Sequence, residues 1–186
     1  MEVSNGLLVA ILFITLLGLG IAHVVVAMAG VVGGDRERRP DALLAAWTVL
    51  LLLVYLELFW HTVDLLNVAE WQFTGFLYVI LGPILLFFAS SVLLPGAEVP
   101  ASVTARDHYL SVSRRFFGLL ALLQLWVIGI DRLLGSGFTT ATALTAAAAV
   151  LVAVLASTRR TAVHVVGTMV AAVLFIAGFV NHGAGG

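Results

Sequence analysis

Three ionisable residues stand close together in an otherwise apolar run, LELFWHTVDLL: Glu57, His61 and Asp64. At about 100° per residue on an α-helix, His61 lies about 40° to one side of Glu57 and Asp64 about 20° to the other. All three share one narrow face, and the opposite face is Leu, Val and Tyr55. Two carboxyls and an imidazole in line are the groups that a proton relay or a cation path uses. Low dielectric disfavours the charged forms of acid and base alike, which eases proton exchange between neighbours.

Two further stripes offer partners. Gln124 and Asp131 fall within about 20° of each other on a helix, with Ile128 between them and Arg132 alongside Asp131. His164, Thr168, Ala171, Phe175, Gly178 and His182 form the other stripe, with Asn181 beside it. A lone His23 stands among Gly18, Gly20 and Ala27.

These residues admit more than one chemistry. In a relay, Asp64 and Asp131 attract a cation at the mouth, and His61 and Glu57 pass charge inward. Gln124 and Tyr78 then supply hydrogen bonds, and the exit lies near His23, His164 and Thr168. In a purely structural network, Arg132 pairs with Asp131 or Asp64, and His61 bonds a neighbouring carboxylate, as buried charges usually do. His61, Asp64, Asp131 and His182 are also the ligand types that suit Zn, Mn or Fe. A bis-His haem needs axial ligands on facing helices at matching depth. The candidate pairs are His23 with His164 and His61 with His182. The cofactor is therefore unknown: none is the first expectation, and a metal ion or haem the alternative.

Such residues must be positioned by helices in a bilayer. The chain has 186 residues, 62% hydrophobic and 10% charged, with a mean hydropathy of +1.14. Soluble domains carry roughly a quarter charged residues, and disordered chains need low hydrophobicity. A formal net charge of -1 speaks against a nucleic-acid binder. Cysteine is absent, which removes disulfides, thiolate metal sites and catalytic thiols. All nine basic residues are Arg, and with the abundance of Ala, Val, Leu and Gly this points to a bacterial or archaeal source.

A span takes roughly 20 apolar residues, and six such runs are present, over about 7–32, 42–66, 72–94, 115–134, 138–156 and 162–180. They are too long and continuous for barrel strands. The first is too long for a signal-peptide core, so it is expected to stay as a span. Eight of the nine Arg fall in the loops after spans one, three and five or at their edges. By the positive-inside rule that side is cytoplasmic, and both termini lie outside. Thr104 with Asp107 has the spacing of a capping box, so span four is expected to begin there as a cytoplasmic helix of roughly 30 residues.

Other features read as packing. Gly82-Pro83 in span three implies a kink, Ser90 and Ser91 are placed to bond back to a carbonyl, and Trp71 belongs to an aromatic belt. The Ala/Thr-rich span five suits close helix contact or an oligomer seam. The halves share no motif that marks an inverted repeat. Elbow, zincin and P-loop motifs are missing, so an enzyme is not expected.

The expectation is an all-α polytopic membrane protein. It has one six-helix transmembrane domain over 1–186 and sits in a bacterial inner membrane, as a homo-oligomer rather than a monomer. Its expected role is that of a small channel or transporter for protons or small ions, with the lipid bilayer as surroundings and no nucleic-acid partner. The alternative is a metal- or haem-binding subunit, redox or structural, of a larger complex.

Overall fold

The computed structural model describes residues 5–32, 41–68, 71–94, 103–133 and 139–183; the side chains at 30–32, 67, 131, 133 and 181–183 are not described. Apolar runs of helix-forming residues give α1 (Asn5–Val32), α2 (Ala42–Trp60), α3 (Phe73–Leu93), α4 (Ala105–Leu133), α5 (Thr140–Ser157) and α6 (Thr161–Gly183), with a 3-10 segment, His61–Asn67, after α2. All six are long and apolar enough to cross a membrane, and the described residues contain no strand. The chain is an all-α multi-pass membrane protein.

Local chemistry sets the helix starts. Asp41 caps α2, its Oδ1 accepting from the amides of Leu43 at 3.0 Å and Leu44 at 3.3 Å. Thr104 and Asp107 form half of the expected capping box: the Asp107 amide donates to Thr104 Oγ1 at 3.1 Å, while the Asp107 carboxylate accepts from the Thr104 hydroxyl at 2.7 Å rather than from its backbone amide. The resulting α4 has 29 residues, about 43 Å at 1.5 Å per residue. Thr139 and Thr142 form the complete reciprocal box at the start of α5.

Neighbouring helices trace a closed ring in the order α1, α3, α4, α5, α6, α2 and back to α1. α2 also touches α3 and α4 across the middle, so it leans into the ring. The most extensive contacts are those of α4 with α5 and α3. The small side chains of α5 allow that approach.

Glycines make room where large rings cross between helices. Gly82 of α3 lies under the indole of Trp126, and Gly129 of α4 under the phenol of Tyr78; a Cβ at either position would collide with the ring. The two rings also bond reciprocally: Trp126 Nε1 donates to the Tyr78 carbonyl at 2.7 Å, and Tyr78 OH donates to the Trp126 carbonyl at 3.1 Å. α3 continues through Pro83. The Gly-Pro pair is thus part of the α3–α4 seam.

Cross-helix bonds define one end of the bundle. Arg106 meets Asp41 at 3.0 Å, and His108 Nε2 donates to the Leu93 carbonyl at 3.1 Å, satisfying a group at the end of α3. Arg106, Arg114, Arg115, Arg159 and Arg160 belong to this end, while Arg36, Arg38 and Arg39 lie outside the described residues. At the other end Gly6 lies close to Leu65 and Trp71. Outward-facing residues of α1 and α6, such as Val26, Met169 and Phe179, are exposed and apolar, as a lipid-facing surface requires.

Candidate functional site

The chemistry-bearing stripe of α2 does not stay on one α-helical face. After Trp60 the chain tightens into the 3-10 segment, in which side chains at i and i+3 eclipse. His61 and Asp64 therefore stack directly, and His61 Nδ1 lies 3.1 Å from Asp64 Oδ2. Their side chains are 40% and 58% exposed. Glu57 sits below them on α2, about 12 Å from Asp64 along the axis by the rises of the two helix types.

Because α2 approaches α4 and α6 only lightly, space remains between them. A cavity of about 310 Å³ is bounded mainly by α2 with its 3-10 extension, α4, α5 and α6, with Phe13 of α1 and Val79 of α3 completing the described wall. Glu57, His61 and Asp64 line it from one side, and Gln124 of α4 from another. Ala171, Phe175 and Gly178 bring in the stripe of α6. The three stripes thus border one space. Thr145 of α5 adds a hydroxyl that periodicity did not single out, and that group also bonds back to the Ala141 carbonyl at 3.0 Å. The rest of the described wall is aliphatic or aromatic.

Toward the arginine-rich end the cavity stops at Trp47. Its indole Nε1 donates to Thr168 Oγ1 at 2.9 Å, and Phe116 and Phe117 pack edge-on against its ring, with centroids at 5.5 and 4.9 Å. Thr168 in turn donates to the His164 carbonyl at 2.7 Å. His164 is fully buried. Its Nε2 faces the Thr158 carbonyl at 3.0 Å and its Nδ1 the Tyr109 hydroxyl at 2.9 Å. A carbonyl only accepts, so the proton sits on Nε2 and Nδ1 accepts from Tyr109.

Several expected roles are redirected by this arrangement. Both nitrogens of His164 are engaged with protein groups, and among the described residues α1 and α6 share no contact. His23 and His164 are therefore not brought together as an axial pair. His23 packs instead on Phe87, with ring centroids 5.7 Å apart, and its buried Nε2 has no hydrogen-bond partner among the described residues. The Tyr78 hydroxyl bonds Trp126 in the α3–α4 seam, and Tyr78 is not among the residues that line the cavity. The side chains of Asp131, Asn181 and His182 lie outside the described residues, and with them the full four-ligand metal set. Among the described residues no group of three or more His, Asp or Glu is disposed to hold a metal ion.

Four interactions escaped periodicity because each depends on a partner far along the chain: Trp47 with Thr168, Tyr55 with Ser90 at 3.1 Å, Tyr109 with His164, and His108 with Leu93. Ser90 does bond back to a carbonyl as expected, that of Phe87 at 2.8 Å.

The site combines exposed acid and imidazole groups at a rim, a carboxyl and an amide further in, and an aromatic closure at the far end. Comparisons of the chain with protein-family models, with curated proteins and with solved structures find no match.

Proposed function

We propose that this protein moves protons or small cations across a bacterial inner membrane, with the cavity between α2, α4, α5 and α6 as the translocation site. The observation that carries this reading is the convergence of Glu57, His61, Asp64 and Gln124 on that one cavity. Intramembrane ionisable residues are costly, and they mark ion and proton pathways when they border such a space. Asp64 and His61 at the exposed rim receive the cation or proton, and Glu57 holds it further in. The Trp47–Thr168 closure favours a carrier that opens in steps over a continuous pore. The arginine distribution supports an orientation with the closed end at the cytoplasm and both termini outside.

The test is flux of protons and monovalent cations into liposomes holding the purified protein. Wild type is expected to carry a flux that Glu57→Gln abolishes while its circular dichroism stays unchanged. Flux retained in that variant would sink the relay.

A further inference from the structure

We infer that the cavity takes a small lipophilic organic cation, a quaternary or protonated amine with an apolar body, which competes with a proton at Glu57. The inference rests on reading this cavity as the translocation site, and it names the substrate class.

Size and lining are the first argument. A water occupies about 30 Å³ of liquid volume and needs two to four polar partners in a buried site. The space of about 310 Å³ thus has room for several waters. Its described wall offers polar side chains only at Glu57, His61, Asp64, Gln124 and Thr145, apart from indole N–H groups already bonded within the protein. A bare metal cation needs a shell of oxygen ligands, which so apolar a wall does not supply. Mostly apolar cavities of roughly 300 Å³ with a few placed polar groups suit small organic molecules.

The sign of charge is the second. Two carboxyl residues line the cavity, and no Arg or Lys does so among the described residues. The rings of Phe13, Trp47, Trp126 and Phe175 also border it, and aromatic faces attract ammonium groups. An anion finds no charged partner there except His61 when protonated.

The polarity gradient gives the orientation. Asp64 and His61 lie at the exposed rim, whereas Trp47, Leu120, Val152 and Ala171 line the closed end. The cation enters past the rim, its charged head rests at Glu57, and its apolar body fills the space toward Trp47. A protonated Glu57 carboxyl gives up its proton as the cation arrives, and that proton leaves past His61 and Asp64. Proton and cation are alternative occupants, which is the requirement for exchange.

The test uses the full chain in lipid nanodiscs, titrated with benzyltrimethylammonium and followed by tryptophan fluorescence and calorimetry. Saturable binding is expected that weakens on acidification, up to roughly tenfold per pH unit where the proton dominates. Glu57→Gln should weaken binding at least tenfold and remove the pH dependence, while Glu57→Asp keeps both. Ala148→Phe, which fills part of the cavity, should also lose binding. Neopentylbenzene, the neutral isostere, should not compete. Equal binding by Glu57→Gln, or competition by the neutral isostere, overturns the inference. If wild type does not bind the cation yet carries a Glu57-dependent proton flux, the substrate class falls and the transport reading stands. If it shows neither, both fall.

Discussion

Where α6 begins, Trp47, Tyr109, His164 and Thr168 are buried, and each of their side-chain polar atoms has a protein partner. Near the 3-10 segment, Glu57, His61, Asp64 and Gln124 instead border a cavity, with His61 and Asp64 well exposed. Both regions hold histidine and other polar residues at helical spacing. They differ in closure. A buried network with every member bonded rigidifies the helices it joins, here α2, α4 and α6. Glu57, His61, Asp64 and Gln124 each present a side to the cavity. The first region is closed by its own bonds, whereas the second borders open space.

Substitutions at matched positions separate the two roles. Glu57→Gln carries the largest expected effect: flux falls to background while circular dichroism keeps the helical signal of the wild type. A loss of fold there would make the cavity side as structural as the buried network around His164. His164→Ala should do the reverse. It strands the Tyr109 hydroxyl and the Thr158 carbonyl and opens a void, at about 3 kcal/mol by equilibrium denaturation. An unchanged midpoint would break the contrast from the other side.

Smaller effects sharpen it. Asp64→Asn at the rim should lower cation flux severalfold at low salt and much less at high salt, because exposed charges are screened. Salt-independent loss would place Asp64 inside the path rather than at its entrance. Trp47→Phe removes one buried donor and keeps a ring between Phe116 and Phe117. Polar bonds between membrane helices are worth about 0.6 kcal/mol on average, so a stability change of that order is expected by the same denaturation. Its sharper readout is leak: a raised background flux would identify the Trp47–Thr168 bond as part of the closure.

Much of the architecture was legible in the residues. Continuous apolar runs have no other folded use at that length, so the six helices follow from composition and period. The cap that Thr104 gives the Asp107 amide was readable because its partners are three residues apart. Asp41 is equally legible as a cap, an acid after Pro40 and before an apolar run. The change to 3-10 geometry at His61 was not legible, since a steady 100° period assumes one helix type throughout. Depth alone suggests Tyr78 for the pathway, and depth does not say which neighbour a ring faces. His108 stood out by no pattern, because its partner is the carbonyl at the end of α3.

By itself the sequence determined that the chain is helical and made for a bilayer, and that carboxyl and imidazole groups sit within its spans. Those properties depend on local composition and on residues a few positions apart. Tertiary structure alone decided which stripes meet. The ring order sets α4, α5 and α6 around an inward-leaning α2 and keeps α1 away from α6. Glu57 and Gln124 therefore border one space, whereas His164 is enclosed with Tyr109. The physical reason is that helix neighbours are chosen by side-chain fit, such as Trp126 over Gly82 and Tyr78 over Gly129, between residues far apart in the chain.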